Sequence, residues 1–295
     1  MVESRLDLRG SVAVVTGAAS GIGAALARVL AARGCALALA DRDEIGLAAA
    51  AAEAITQGVV VSKHILDVAD AEAVAALPGA VLAVHGRVNV LVNNAGVALV
   101  GRFDQVSMAD FEWLFNINFW GTVRMTRAFL PLLRQEKAAQ LVNLSSVYGL
   151  IAPPGETAYA ASKFAVRGFT EALRHELEQS SIGVTLVHPG GIRTSVAKNA
   201  RKAEALTAAD IAAGMAMFDK LTQTEPETAA EVIALGIERR KPRVLIGKDA
   251  QQIATLVRLF PVGYWPKIQK SIARTLRRAS ARNVASKSPP KASHG

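Results

Sequence analysis

Short runs of β-branched and apolar residues recur along this chain, and longer, mostly alanine-rich stretches with helical spacing lie between them. The runs fall near Val12–Thr16, Ala36–Ala40, Val59–His64, Val88–Asn93, Gln140–Leu144, Val184–His188 and Arg243–Ile246. The helical patterns are Ile22–Arg33, Glu44–Thr56, Ala71–Val84, Met108–Arg134, Ala158–Gln179 and Pro226–Arg240. Gly34 follows the first of these, where helices commonly end on a left-handed residue. The strand runs are continuously apolar rather than alternating, which indicates burial on both faces. Repeated strand–helix–strand units with buried strands fold as an α/β, doubly wound parallel sheet, here of about seven strands, with helices on both faces.

Composition narrows the function. With 295 residues, 51% of them hydrophobic, the chain can bury roughly three quarters of its unfolded surface. A single cysteine, Cys35, excludes an intrachain disulfide framework and a cysteine-based zinc site, and opens a strand as a small hydrophobe. His64, His85, His175 and His188 show no paired ligand spacing, so they read as surface or strand-end residues and no metal is expected. The net charge of +9 is local: residues 250–295 carry nine basic and no acidic side chains, which leaves 25 basic and 25 acidic in residues 1–249. A neutral body is not a nucleic-acid-binding body. The opening segment MVESRLDLRG lacks the apolar run of a signal peptide, and no stretch reaches the ~18 to 20 apolar residues of a spanning helix, so a cytoplasmic protein is expected.

The turn Thr16-Gly17-Ala18-Ala19-Ser20-Gly21-Ile22-Gly23 leaves an apolar run and opens a helix. Its glycines permit a tight turn and close backbone approach to a pyrophosphate, and the helix start offers free N–H groups and a positive dipole end. Gly17, Ser20, Gly21, Ile22 and Gly23 are therefore candidate cofactor contacts. Asp41 ends the second run, 18 residues after Gly23. A carboxylate there accepts both ribose hydroxyls of an adenosine and repels a 2′-phosphate, which favours NAD. Arg42 is adjacent and can pair with that phosphate, so NADP stays the alternative; Ser20 stands where a basic residue would have helped NADP.

These residues bring a family into view. Over about residues 8–247 the sequence resembles the short-chain dehydrogenase/reductase family. The matching motifs are the glycine turn 16–23, Asp67-Val68, Asn93-Asn94-Ala95-Gly96, Asn118 in Asn118-Phe119-Trp120-Gly121-Thr122, Ser145-Ser146, Tyr159-Ala160-Ala161-Ser162-Lys163 and Pro189-Gly190, in that order. The resemblance implies a single Rossmann-like domain over residues 1–249 and a nicotinamide-dependent oxidoreductase. It implies a catalytic set of Asn118, Ser146, Tyr159 and Lys163, with Ser146 chosen over Ser145 because it precedes the tyrosine by 13 residues. Asn118 would support a water relay to Lys163 and bend its helix, and Lys163 would also hold the nicotinamide ribose. Asn93 and Gly96, with Ala95 between them, would lie along adenosine and ribose; Asp67 and Val68 would touch adenine; Ile192 and Thr194, after Pro189 and Gly190, would meet carboxamide and phosphate. The resemblance also implies a homodimer or homotetramer built on helices 108–134 and 158–179.

The spacing makes independent sense. Tyr159 and Lys163 are four apart and share a helix face. A tyrosine of pKa about 10 is a poor base at neutral pH, and a neighbouring ammonium favours its phenolate. Tyr159 would then take or give the alcohol proton, while Ser146 holds the substrate oxygen.

Residues 190–221, without a strand of their own, form a lid candidate. Val97, Leu99, Val147, Leu150 and Met215, with Ser146, would surround the reacting carbon in a mainly apolar pocket, with Tyr148 and Glu156 at its edge. Such a wall favours a lipophilic secondary alcohol or its ketone, whether steroid-like, retinoid-like or long-chain. An NADPH-dependent ketone or 3-oxoacyl-thioester reductase is the alternative, and a non-catalytic, nucleotide-sensing module for a membrane or partner is a third reading.

The last 46 residues form a basic amphipathic extension. Ile253, Leu256, Val257 and Phe260 make one apolar stripe, followed by Tyr264 and Trp265. Within 266–282, Ile268, Ile272, Leu276 and Ala279 make a second, among Lys267, Lys270, Arg274, Arg277 and Arg278. Two readings stand: peripheral contact with a membrane surface, or a helix packed on the body or on a partner subunit. Residues 285–295 are expected to be disordered.

Overall fold

The computed structural model describes residues 5–196, 198–271 and 273. Its main sheet contains β1 (Val12–Thr16), β2 (Ala36–Asp41), β3 (Val61–Ile65), β4 (Val90–Asn93), β6 (Ala139–Leu144), β7 (Ile182–Pro189) and β9 (Arg243–Ile246). All pair in parallel in the order β3-β2-β1-β4-β6-β7-β9. Two short strands, β5 (Leu99–Val100) and β8 (Arg201–Lys202), form a separate parallel ladder. Winding reverses between β1 and β4, and in open α/β sheets ligands bind outside the carboxyl ends of the strands at that point.

Alternation along each strand feeds two cores. Ala13, Val15, Leu37 and Leu39 face one core with α1 (Gly21–Ala32), α2 (Glu44–Ile55) and α8 (Pro226–Glu238). Val14, Ala38, Ala40 and Leu91 face the other with α3 (Ala71–His85), α5 (Thr122–Leu133) and α6 (Thr157–Glu176). Helix starts follow their caps: the Asp43 side chain accepts from the Gly46 N–H, and Asp70 from those of Glu72 and Ala73. Gly34 ends α1 at φ 80°, as its position predicted.

The structure departs from the sequence expectation in several bounds, with β4 beginning at Val90 rather than Val88, β7 spanning Ile182–Pro189 rather than Val184–His188 and α6 ending at Glu176 rather than Gln179, and in the following larger features. The third strand begins at Val61 rather than Val59 and is not buried on both faces, because it is a sheet edge. The helix expected over 108–134 is interrupted: α4 (Met108–Phe115) and α5 flank a π-helical stretch, Asn116–Gly121. The extra residue per turn seats Gly121 against Val68, where a Cβ would lie 2.7 Å from a Val68 methyl. Residues 190–221 do have a strand, β8, which pairs with β5. The rest of that segment is α7 (Ala208–Leu221), which buries no residue, so Met215 sits half-exposed on an open flap rather than under a closed lid.

Beyond β9, α9 (Lys248–Leu259) packs on that strand, with Ala250 fully buried. A further helical stretch covers 264–271, whose Ile268 is buried. Ile272, Arg274, Leu276, Arg277, Arg278, Ala279 and residues 285–295 lie outside the described residues. Among the described residues, no helix is long and apolar enough to cross a membrane.

The start of α1 admits no side chain at Gly23. A Cβ on Gly23 would stand 2.0 Å from the Gly17 carbonyl oxygen, whereas one on Gly79 in α3 would meet open space. Gly23→Ala should therefore cost roughly 1–3 kcal/mol or more through forced displacement of the turn. Gly79→Ala should stabilise by about 0.5–1 kcal/mol. Urea unfolding of both variants checks the pair; equal effects would mean that the turn yields freely.

Candidate active site

Two loops meet at the point where the winding reverses. Thr16, the last residue of β1, accepts the Asn94 and Ala95 N–H groups on its hydroxyl, each at 3.1 Å. The Asn94 amide donates back to the carbonyls of Thr16 (2.9 Å) and Gly17 (3.0 Å). Gly17 takes φ 66° and Gly21 φ 53°, left-handed conformations that suit glycine. Ser20 caps α1 without a side-chain hydrogen bond, unlike the capped starts of α2 and α3. The leading N–H groups of α1, beside glycines with no Cβ, form a cradle for an anion.

Asp41 closes one end of this cradle. Its carboxylate accepts the Ala19 N–H at 3.0 Å and the Asp43 N–H at 3.0 Å, which fixes it at the β2 edge beside the turn. Arg42 and Ser20 are exposed nearby. Asp67 is exposed and accepts from the Ala69 N–H, while Val68 is buried under Gly121. The Asn93 side chain is turned into the protein, donating to Thr126 (3.0 Å) and Asn143 (2.8 Å). Only its backbone, with Ala95 and Gly96, borders the cleft side of β4. On the opposite flank, Pro189 ends β7, the Gly190 N–H donates to Ile246, and Ile192 is buried. Thr194 lies over the turn: a Cβ on Gly21 would be 3.1 Å from its methyl.

The second cluster sits on α6 and the loop after β6. The Ser146 hydroxyl accepts the Tyr148 N–H at 3.1 Å and shares a hydrogen bond with the Tyr159 hydroxyl. Ser145 is committed elsewhere, donating to the Lys163 carbonyl at 2.9 Å, so the structure separates the two adjacent serines. Lys163 Nζ donates to the Leu144 carbonyl at 3.2 Å and lies 5.7 Å from the Tyr159 ring centroid. The Asn118 amide clamps Val97, accepting its N–H at 2.8 Å and donating to its carbonyl at 3.0 Å, and donates to Ser162 at 3.2 Å. Asn118 Oδ1 and Lys163 Nζ converge on Gly96, where a Cβ would be 3.2 and 3.4 Å from them. Leu99, Val147 and Leu150 are buried, and Val97 packs beside Leu99 and Tyr159.

Burial governs the charges here. It pushes the Tyr159 phenol up to about 12, with Glu156 adding to the rise and the Ser146 hydrogen bond opposing it. It pushes the Lys163 ammonium down to about 8. Glu156, at the start of α6, is itself pushed up to about 8 by burial. Its carboxyl faces both Tyr159 and Tyr148, whose rings lie 6.0 Å apart edge to face. The pocket edge is therefore more polar than the apolar stripe alone suggests.

Three further placements escape sequence reasoning. His188 is fully buried beneath the site: its Nδ1–H donates to the Ser146 carbonyl at 2.7 Å, and burial pushes the ring down to about 4, keeping it neutral. Asn94 ties the turn to β4, although its only sequence signal is its place between Asn93 and Ala95. His64 and His85, 21 apart in sequence, both meet the Ser62 hydroxyl at 2.8 Å. Cys35, by contrast, is buried as expected, and its thiol is pushed up to about 12.

Comparison with known proteins places this geometry. The family model described as short chain dehydrogenase matches residues 11–205. SadH of Mycobacterium tuberculosis is 43% identical over 271 residues, spanning 91% of this chain and 97% of that protein. A short chain dehydrogenase/reductase from Burkholderia phymatum, solved in complex with NAD, superposes with TM-score 0.77 at 29% identity over 98% of this chain and 99% of its own. A metagenomic short-chain oxidoreductase in complex with NADP gives TM-score 0.67 at 32% identity, over 82% of this chain and 98% of its own.

The buried Glu156 carboxyl has a measurable signature. Its folded value of about 8 exceeds the ordinary 4.5, so the folded state holds the proton more tightly. The stability this gives is complete below about pH 4.5 and is lost as pH rises through 8. Glu156→Gln cannot titrate. Thermal melts should show the variant gaining on the wild type between pH 4.5 and 8; a gap that stays constant across that range would place the carboxyl in water.

Proposed function

The chain belongs to the short-chain dehydrogenase family, and from that premise we propose that it is an NAD-dependent oxidoreductase interconverting a lipophilic secondary alcohol and its ketone. The observation that carries this reading is the joined cluster of Ser146, Tyr159 and Lys163 beside a glycine cradle at the reversal of the sheet. The residues fit a dinucleotide. Gly17, Gly21, Ile22 and Gly23, with Ser20, would hold the pyrophosphate on the α1 N-terminus, and Asp41 would take the adenosine ribose hydroxyls. Asp67 and Val68 would border adenine, and the Asn93, Ala95 and Gly96 backbone the adenosine and ribose. Pro189, Gly190, Ile192 and Thr194 would close the nicotinamide side. When bound, the nicotinamide supplies or accepts the hydride.

The chain's own groups handle the proton. Tyr159 holds its proton firmly in the structure as it stands, because burial and Glu156 both disfavour the phenolate. That suits donation to a carbonyl oxygen in reduction. In oxidation the phenolate must be stabilised, and two groups serve: the Ser146 hydroxyl, already bonded to it, and Lys163 on the same helix face. Ser146 also holds the substrate oxygen as charge develops on it. Asn118, by clamping Val97 and sharing the surroundings of Gly96 with Lys163, keeps open a proton route from the amine.

Leu99, Val147, Leu150 and Val97 form an apolar wall next to Tyr159, and α7 with Met215 would add to it on closure. That wall supports a lipophilic substrate. Arg42, exposed beside Asp41, is the residue through which NADP would be recognised, so cofactor choice turns on this pair.

A panel of alcohols and ketones, followed by nicotinamide absorbance with each cofactor, tests the reading. Tyr159→Phe should lower turnover by roughly 10²-fold to 10⁴-fold while calorimetry shows cofactor binding within about threefold of wild type. Retained turnover would refute the assigned acid/base. Asp41→Ala should weaken NAD binding far more than NADP binding; tighter NADP binding by the wild type would reverse the cofactor assignment.

A further inference from the structure

The chain between α9 and the helical stretch 264–271 makes an outward turn that no other part of the described structure covers. Val262 at its tip is 92% exposed, Leu259 65% and Phe260 42%. Large apolar side chains scattered singly are ordinary, but here three lie within four residues. The turn is held out by anchors on both sides. Before it, α9 packs on β9, and the Asp249 carboxylate accepts the Gly191 N–H at 2.7 Å. After it, the Tyr264 hydroxyl accepts the Ala152 N–H at 3.3 Å and Ile268 is buried. The apolar tip is thus presented by a fixed base, not left over from a frayed end.

Charge along the turn and its flanks has one sign. Arg258, Lys267 and Lys270 are exposed, and Lys267 Nζ lies 4.1 Å from the Phe260 ring centroid, directly beside the apolar residues. No acidic residue occurs after Asp249. Tyr264 and Trp265 stand half-buried at the base of the turn, the level at which amphipathic rings sit at a membrane interface.

We propose that residues 258–270 form a docking face for an anionic lipid surface, with Leu259, Phe260 and Val262 entering between head groups and Arg258, Lys267 and Lys270 meeting the phosphates. Charge decides against a second copy of the chain. A two-fold contact through this face would set the same three cations against each other. An anionic bilayer supplies the opposite charge and an apolar layer together, and each nearby basic residue strengthens such association roughly fivefold. The face adjoins the catalytic cluster: α9 also contacts the turn Val147–Gly149, and Tyr264 bonds the loop that follows it. A docked molecule therefore holds the loop after β6 close to the bilayer. The inference stands on this surface alone and does not require the proposed substrate class.

Co-sedimentation of the full chain with vesicles of phosphatidylcholine, with and without phosphatidylserine, tests it. The wild type should bind the mixed vesicles at least tenfold more tightly than the neutral ones, and added salt should weaken binding. The double variant Phe260→Ser/Val262→Ser keeps every charge and lies on the surface, so its thermal melt should match the wild type. Its binding should fall about tenfold. Equal binding by both proteins would overturn the proposal, because attraction would then belong to the basic chain end alone. No binding by the wild type would overturn it as well, and a wild-type dimer that the double variant dissociates would assign the face to a second copy.

Discussion

The Asn94 side chain donates to the carbonyls of Thr16 and Gly17, while the Thr16 hydroxyl accepts the N–H groups of Asn94 and Ala95. These four bonds join two loops that leave adjacent parallel strands for opposite faces of the sheet. Each contributes about 1 kcal/mol, a modest sum. Their larger effect is geometric. They fix the glycine turn against the β4 loop, and that loop passes through Gly96 to the Val97 backbone clamped by Asn118. From Asn118 the chain of contacts continues to Ser162 on α6, and so to Tyr159 and Lys163. The glycine turn and the Ser146–Tyr159–Lys163 cluster thus occupy fixed relative positions without sharing an element.

Burial sets the electrostatics of that cluster, and it acts on every titratable member at once. The phenol and the Glu156 carboxyl are raised and the amine is lowered, so the neutral forms gain throughout. His188 extends the same logic below the site. A neutral ring bonded to the Ser146 carbonyl supports the serine without adding a charge that Tyr159 would feel.

Most of the sheet was legible in the sequence because burial on both faces leaves a plain signature, as in VAVVT for β1 and ALALAD for β2. The edge strand β3, VSKHI, carries a weaker one, since one side of its ladder meets solvent; strand starts are less legible throughout, and those of β3, β4 and β7 each differ by two residues from the apolar runs. The π-helical stretch was not legible. NINFWG reads as ordinary helix, and the contact its last residue makes, Gly121 against Val68, comes from a distant part of the chain. Nor was β8 foreseeable, since a two-residue ladder with β5 depends on backbone meeting backbone across about a hundred residues. In the site, the four-residue interval of Tyr159 and Lys163 was readable from helix geometry alone, whereas Ser146 needed the family resemblance until the hydrogen bonds of Ser145 set the two apart. Glu156 reads only as an edge residue, because a carboxylate at a helix start usually lies in water, and only the folded environment half-buries it and raises its carboxyl. His188 reads as a strand end, and nothing in one sequence reveals the carbonyl it supports.

Asp249 adds a side-chain link between two regions that the pairing of β7 with β9 already brings together. Its carboxylate accepts the Gly191 N–H, and the nearness of its oxygens leaves no room for a side chain on Gly190 or Gly247. Gly191 lies at the root of the segment that carries α7, and Asp249 lies in the first turn of α9. A swing of the flap at its root must break or carry along the first turn of α9. The carboxylate thus ties the start of the α7 segment to the first turn of α9, next to the pairing of β7 with β9.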